Sequence, residues 1–320
     1  MKICCFLINV WQEPLLKEKL KNHELKIFSK PLNKNNLNEI KDCEILVSRA
    51  RFLDLKFDET TLKKIPNLKF IATMSTGFDH IDLNYCKKNN ILVSNVPKYG
   101  ETSVAEQTFA LILAIIKKIP QSIENTKKGI FSQENLQGQD LHGKTLGVIG
   151  SGNIGLNVIK IAKSFGMKII AYDIVHNKEA CKELDFFYID ELNDLLKDSD
   201  IITFHAPYNK YTHHLLNEEN LFLLKKSAII INTARGELID THALINYLEK
   251  GNISFAGLDV FEEDNPGPVE RLIKSEKVFI TPHNASNTLE AKRKILEITI
   301  ENIESFIKNY PINLIKNSIQ

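Results

Sequence analysis

The chain has 320 residues, 43% of them hydrophobic and 25% charged, which is an ordinary globular composition with room for two domains and excludes a disordered or fibrous protein. Forty-one basic against forty acidic residues leave a net charge of +1, so there is no global electrostatic case for nucleic acid or an anionic membrane as partner. No apolar run approaches the ~18 residues of a membrane span. The five cysteines (Cys4, Cys5, Cys43, Cys86, Cys181) show neither CxxC nor other metal-binding spacing, and their odd number suits a reducing compartment. A soluble, cytoplasmic protein without a metal is expected.

The N-terminal MKICCFLINVW has one lysine before an apolar run but no small-residue cleavage site, and Gln12-Glu13-Pro14 follows directly, so it reads as a buried first strand rather than a signal peptide. Strands are predicted at Ile3 to Ile8, Leu25 to Phe28, Glu44 to Val47, Lys69 to Ala72 and Ile91 to Ser94, with amphipathic helical stretches between them. Such alternation implies a parallel sheet covered by helices on both faces. Thr102 to Ile116 is a strongly apolar helix that leads through a polar stretch to Lys144 to Ile149, a short run of the kind a strand buried on both faces shows. Further strands are predicted at Met167 to Tyr172, Ile201 to Phe204, Ala228 to Ile231, Phe255 to Leu258 and Val278 to Ile280. Helices are predicted at Ile154 to Phe165 and His242 to Lys250, and an amphipathic helix, Leu289 to Lys308, closes the pattern. No internal repeat or low-complexity linker interrupts it.

The residues GVIGSGNIG (Gly147 to Gly155) lie at one of the strand-to-helix junctions. A lone GxGxxG proves little, but here Ile154, Val158, Ile161 and Phe165 follow at helical spacing, and the next strand ends on Asp173, eighteen residues beyond Gly155. In that context Gly150 makes the tight turn, Gly152 lets the backbone approach a pyrophosphate, and Gly155 lets helix and strand pack closely, while the helix N-terminus faces the phosphates. Asp173 would accept hydrogen bonds from the adenine ribose hydroxyls. It would repel a 2′-phosphate, for which Ile174-Val175-His176-Asn177 supplies no arginine, so the cofactor expected is NAD rather than NADP.

Three more segments sit at the carboxyl ends of predicted strands, where open α/β sheets bind ligands. They are Ile231-Asn232-Thr233-Ala234-Arg235-Gly236, the acidic Gly257-Leu258-Asp259-Val260-Phe261-Glu262-Glu263-Asp264, and Thr281-Pro282-His283. Each alone has a bland reading as a salt bridge, a solvated loop and a structural histidine. Beside a dinucleotide site they supply what reduction of a 2-keto acid requires. Arginine holds a carboxylate bidentately with a charge that never titrates, a histidine next to a carboxylate stays protonated near neutrality, and the nicotinamide brings the hydride.

With these residues the chain resembles the D-isomer-specific 2-hydroxyacid dehydrogenases, most of all the bacterial NAD-dependent D-lactate dehydrogenase-like members. The resemblance runs through STGFDHIDL (Ser75 to Leu83), SNVPKYGETSVAEQTFALIL (Ser94 to Leu113), GVIGSGNIG, FHAPYNKYTHHLLN (Phe204 to Asn217), INTARGELID (Ile231 to Asp240), GLDVFEED (Gly257 to Asp264) and TPHNAS (Thr281 to Ser286), nearly the whole chain. It implies a Rossmann NAD-binding domain (99–287) inserted into a flavodoxin-like substrate domain (1–98, completed by 288–320). It implies that Arg235 binds substrate, that His283 is the acid/base and that its carboxylate partner is Asp264. The family usually has glutamate at that position, so the shorter aspartate either sits closer or yields the role to Glu263. For NAD, the match implicates Asn153 and Ile154 at the pyrophosphate, Asp173 at the ribose, Ala206, Pro207 and Thr212 along the adenosine and phosphate path, and Thr233, Ala234 and Asp259 near the nicotinamide. Backbone N–H groups of Thr76 and Gly77 match the substrate-carboxylate cradle, with Tyr99 nearby, and Arg49 and Arg51 are either a second cation for a larger acid or plain surface charges.

The D-lactate enzymes commonly carry aromatic residues shortly after the catalytic histidine, whereas Asn284-Ala285-Ser286-Asn287 is small and polar, which leaves the substrate open among pyruvate, hydroxypyruvate, glyoxylate, phenylpyruvate and branched 2-keto acids. The competing reading is a nicotinamide-sensing binding protein of the corepressor type. Formate oxidation is disfavoured, since that branch pairs its histidine with glutamine and this loop offers only carboxylates. The apolar Thr102 to Ile116 is longer than a bridge between domains needs, and the corresponding helix of related enzymes lies in a dimer interface, so a homodimer is expected.

Overall fold

The computed structural model describes residues 1–49, 55–262 and 266–316. The chain divides into two compact units, Met1–Tyr99 with Leu289–Gln320 and Gly100–Thr288.

The first unit is built on five parallel strands, β1 (Lys2–Phe6), β2 (Glu24–Phe28), β3 (Ile45–Ser48), β4 (Phe70–Thr73) and β5 (Leu92–Ser94), in the order β2-β1-β3-β4-β5. This is the 2-1-3-4-5 order of flavodoxin-like sheets. Every residue of β3 and β4 is buried, because a parallel sheet needs cover on both faces and its central strands therefore read as unbroken apolar runs. One face packs Ile3, Cys5, Ile45, Val47, Phe70 and Ala72 against Ile295, Leu296, Ile300 and Ile303 of the helix Leu289–Ile307, and Phe70 stacks on Phe306 at 4.4 Å. The opposite face packs Cys4, Phe6, Leu46, Ile71 and Val93 against Phe57, Leu62 and Cys86. The expected strand Ile3 to Ile8 ends early because Leu7 takes a left-handed φ of 58°.

His80 is enclosed in this unit beside the Phe57 ring, and burial pushes its imidazole down from 6.5 to about 4. Between those two values the unfolded chain binds a proton that the folded chain refuses, so stability rises with pH across that window. The stability that neutral His80 allows is complete above pH 6.5 and falls as the pH drops toward 4, by up to ~3 kcal/mol. Urea unfolding of the wild type between pH 7 and 4 is expected to show this loss, and His80→Gln is expected to flatten it.

The second unit holds seven parallel strands, β6 (Thr145–Ile149), β7 (Lys168–Tyr172), β8 (Phe187–Tyr188), β9 (Ile201–Phe204), β10 (Ile229–Asn232), β11 (Phe255–Leu258) and β12 (Val278–Ile280), ordered β12-β11-β10-β9-β6-β7-β8. The order reverses between β6 and β9, as in a Rossmann sheet with one strand added. Sequence periodicity missed β8, a two-residue edge strand whose Phe187 is exposed.

The helix Glu101–Ile116 corrects the argument offered for dimerisation. Val104, Ala105, Phe109, Leu111, Ile112, Ile115 and Ile116 are buried within the second unit, against the helix Asn153–Ser164 and strands β10 and β11. Its apolar length is therefore spent on its own core. A group of exposed apolar side chains comes just after it, on the unpredicted helix Ile119–Lys127 and the loop beyond, where Ile119, Ile123, Ile130 and Phe131 face solvent.

Candidate active site

The glycine loop joins β6 to the helix Asn153–Ser164 at the point where the strand order reverses. Gly150 has φ +92°, and a Cβ there would lie 2.5 Å from the backbone nitrogen of Ala206, just after β9. A Cβ on Gly155 would lie 2.1 Å from the Gly150 carbonyl oxygen. The protein's own backbone thus excludes side chains at both positions. Gly152 differs, since a Cβ there would meet nothing within 4 Å. Gly152 is also the N-cap of the helix and caps it with no side-chain hydrogen bond, so the first-turn N–H groups open onto this space. An unfilled cradle at a bare helix N-terminus fits a pyrophosphate.

Asp173 follows β7 directly. Its Oδ2 accepts the Ser151 backbone N–H at 2.6 Å and the Ser151 hydroxyl at 3.1 Å, and Oδ1 accepts Val175 N–H at 3.1 Å. The Tyr188 hydroxyl lies 2.8 Å from Ser151 Oγ and accepts Asn177 N–H at 3.1 Å, while its ring stacks on His176 at 4.2 Å. The carboxylate is therefore fixed to the glycine loop rather than left to swing. Ser151 and Tyr188 escaped the sequence reading, although Ser151 stands inside the motif and Tyr188 on the missed edge strand. Replacing Asp173 with alanine removes the like charge that opposes a 2′-phosphate. The expected result is a fall in the ratio of kcat/KM for NADH over NADPH of ~10-fold or more, read from initial rates.

The carboxyl ends of three adjacent strands carry the remaining polar groups. At the end of β10, buried Asn232 clamps the turn that bears Arg235. Its Oδ1 accepts Ala234 N–H at 3.0 Å and its Nδ2 donates to the Arg235 carbonyl at 2.8 Å. Arg235 lies half-buried, with one guanidinium nitrogen donating to the Ala234 carbonyl at 2.8 Å. Thr233 Oγ1 lies 2.9 Å from Thr108 Oγ1, and both residues are buried.

After β11, Asp259 is 1% exposed, and its carboxylate accepts the Thr281 hydroxyl at 2.5 Å, Asn284 N–H at 2.9 Å and Ala285 N–H at 3.0 Å. Asp259 thus binds the loop that follows β12, and Gln107 Nε2 steadies the same Thr281 hydroxyl at 3.3 Å. Between these anchors His283 takes φ +49°, and its N–H donates to the Thr281 carbonyl at 2.8 Å. A left-handed residue in a turn bound on either side presents an exposed imidazole from a fixed backbone.

Glu262 ties the acidic loop down, with its carboxylate 2.7 Å from His214 Nε2 and accepting Thr241 N–H at 3.0 Å. A Cβ on Gly236 would lie 2.3 Å from the Phe261 carbonyl carbon, so this loop and the Arg235 turn pack backbone to backbone. Glu263 and Asp264 lie outside the described residues, as does Arg51.

Among the other residues expected at the cofactor, Asn153 Nδ2 donates to Glu101 at 2.6 Å, and Ile154 occupies the first turn of the uncapped helix. Ala206 and Pro207 follow β9 beside Gly150. Thr212 Oγ1 is committed to its own turn, donating to the Pro207 carbonyl at 2.7 Å and accepting Asn209 N–H at 2.8 Å. His205, between β9 and Ala206, lies 2.9 Å from Thr203 Oγ1 through Nε2, and burial pushes its imidazole down to about 3. It stands there as a neutral ring at neutral pH.

In the first unit, Ser75-Thr76-Gly77 follows β4. The Thr76 and Gly77 N–H groups donate to nothing among the described residues. Tyr99 and Arg49 belong to the same unit and feel one another electrostatically, and burial disfavours the charge on Arg49. Two consecutive amides without an acceptor among the described residues suit an anion.

Known proteins resemble this chain. Residues 109–285 match the family model described as D-isomer specific 2-hydroxyacid dehydrogenase, NAD binding domain. The chain is 38% identical over 291 residues to the glyoxylate reductase of Thermococcus litoralis, covering 88% of this chain and 86% of that protein. It is 40% identical over 272 residues to the D-3-phosphoglycerate dehydrogenase of Methanocaldococcus jannaschii, matching 85% of this chain but only 51% of that longer protein. The crystal structure of D-lactate dehydrogenase from Aquifex aeolicus, complexed with NAD and lactic acid, superposes with a TM-score of 0.88 at 38% identity, covering 96% of each chain. The chain therefore belongs to the D-isomer specific 2-hydroxyacid dehydrogenases, oxidoreductases of 2-hydroxy acids with NAD as cofactor.

Proposed function

We propose that this dehydrogenase reduces a small 2-keto acid, of the glyoxylate, hydroxypyruvate or pyruvate kind, to the D-2-hydroxy acid. The observation that carries the assignment of roles is the row of Arg235, Asp259 and His283 after adjacent strands β10, β11 and β12, with Asp259 spent on holding the histidine turn. Bound NADH supplies the hydride that carbon 2 accepts, chemistry no side chain provides. Arg235 grips the substrate carboxylate and draws electron density toward the ketone oxygen. His283 gives its proton to that oxygen as the hydroxyl forms, and takes it back when the hydroxy acid is oxidised. Asp264, or Glu263 beside it, favours the imidazolium from the acidic loop. The amides of Thr76 and Gly77, which meet no acceptor among the described residues of the first unit, are assigned to a substrate carboxylate, and Tyr99 to substrate binding.

The relatives named above act on glyoxylate, lactate and a phosphorylated hydroxy acid, so the family leaves the side chain of the substrate open. The small, polar Asn284-Ala285-Ser286-Asn287 favours a short or hydroxylated one. A second reading is favoured by Arg49, half-buried near Tyr99 in the first unit, whose charge suits a 2-keto acid with a second anionic group. Rates of NADH oxidation with glyoxylate, hydroxypyruvate, pyruvate, phenylpyruvate, 2-oxoglutarate and phosphohydroxypyruvate decide between them. Preference for the last two supports the Arg49 reading, and preference for the first three supports a short substrate.

The expected assembly is a homodimer in the cytoplasm. Its apolar contact is assigned to Ile119, Ile123, Ile130 and Phe131 rather than to the core helix before them. Sedimentation at micromolar concentration is expected to give a dimer, and Ile123→Glu with Phe131→Glu a monomer, since a specific interface of ~1,000 Å² or more does not bury unpaired charges.

A further inference from the structure

We propose that Asn95 is a positioning residue for the substrate carboxylate, and that Asn302 and Asn313, more than two hundred residues further along the chain, hold Asn95 in place. The inference deepens the reading of Thr76 and Gly77 as the carboxylate cradle and rests on it. All the residues involved belong to the first unit.

In a trans peptide the N–H points opposite to the C=O of the preceding residue, so whatever fixes a carbonyl also aims the next amide. The Ser75 carbonyl accepts Val96 N–H at 3.0 Å, which aims the Thr76 N–H. The Thr76 carbonyl accepts the side-chain amide of Asn95 at 2.8 Å, which aims the Gly77 N–H. Thr76 Oγ1 donates to the Val96 carbonyl at 2.9 Å and Ser75 Oγ to the Gly77 carbonyl at 2.7 Å, closing the loop on itself. Every carbonyl from Ser75 to Gly77 is taken, while the two amides of Thr76 and Gly77 meet no acceptor among the described residues and are open to a ligand.

Asn95 is itself held on both sides of its backbone. Its N–H donates to the Asn313 carbonyl at 3.2 Å, and its carbonyl accepts Asn302 Nδ2 at 2.9 Å. Asn313 Nδ2 donates to Asn302 Oδ1 at 2.8 Å. Asn302 is fully buried in the helix Leu289–Ile307, where an amide side chain is a cost unless its bonds are made. Here both its ends are used, and the bonds lead to the cradle.

The test compares a 2-keto acid that the enzyme turns over with the methyl ester of the same acid, which keeps the ketone and lacks the anion. Wild type is expected to favour the acid strongly. Asn95→Ala is expected to lower kcat/KM for the acid by about 10-fold, mostly through KM, while the ester changes by less than about 2-fold and NADH affinity is unchanged. Asn302→Leu is expected to move the same ratio in the same direction. Should Asn95→Ala fold poorly, Asn95→Ser, too short to reach the Thr76 carbonyl, carries the same comparison. Equal losses for acid and ester would make Asn95 merely structural and overturn the proposal, as would an unchanged rate with the acid. If wild type itself fails to distinguish acid from ester, the cradle reading falls first and the proposal with it.

Discussion

Replacing His283 with asparagine is expected to lower kcat for keto-acid reduction by about 10²-fold or more while leaving NADH affinity nearly intact. The backbone supports a clean test. The turn is held by Asp259 through Thr281, Asn284 and Ala285, none of which uses the imidazole, and His283 sits at φ +49°, a region that asparagine accepts readily. Loss of rate without loss of stability or cofactor binding then isolates the proton transfer. Asp259→Ala is expected to differ in kind, because it strips partners from three donors at a residue 1% exposed, so stability and rate fall together. The carboxylate partner is read from pH. A neighbouring negative charge favours imidazolium, so Asp264→Asn is expected to leave an active enzyme whose reduction rate declines at lower pH than that of wild type. If Glu263→Gln moves the profile instead, the partner is one residue earlier, and if neither does, a dyad of His283 with Asp264 or Glu263 is the wrong mechanism. NADH affinity lost along with kcat in His283→Asn would remove the histidine from the chemistry.

The largest effect on stability is expected in the glycine loop, where three residues of one motif separate into two kinds. Gly150→Ala places a Cβ 2.5 Å from the Ala206 nitrogen at φ +92°, and Gly155→Ala places one 2.1 Å from the Gly150 oxygen. In both the obstacle is backbone, which cannot rotate away, so destabilisation of about 3 kcal/mol or more is expected in urea unfolding. Gly152→Ala meets open space, with φ −66°, and is expected to unfold like wild type. Its NADH dissociation constant is nonetheless expected to rise ~10-fold or more, because the room it fills is the space proposed for the pyrophosphate. Unchanged NADH affinity in Gly152→Ala would show that the cofactor does not use that space.

The sheets were the most legible part of the sequence. Fully buried parallel strands such as ILVS and IIIN carry an apolar signal that no exposed face dilutes, and their positions fell within a residue or two of expectation. The edge strand Phe187–Tyr188 carries no such signal, being two residues long and open on one side. The helix Glu101–Ile116 shows the limit of reading apolar length, since composition says that a surface is covered but not by what. At the site, motifs marked which side chains to examine, but the second role of Asp259 and the bonds of Asn302 and Tyr188 join residues far apart in sequence. Only folding brings such partners together, and no local pattern announces them.

The helix Leu289–Ile307 covers a face of the first sheet, yet some 190 residues separate its start from Tyr99. At roughly 5–20 residues per second, a ribosome takes about 10–40 s to bridge that gap. For that interval Ile3, Cys5, Ile45, Val47, Phe70 and Ala72 have been synthesised without the side chains that cover them, while the whole of Gly100–Thr288 emerges as one contiguous stretch able to fold first. The half of the protein made earliest is thus the half completed last. Limited proteolysis of nascent chains stalled just before Leu289 should find the second unit protected while the first is still being cut, and equal protection of both would mean that the first sheet stands without its final helix.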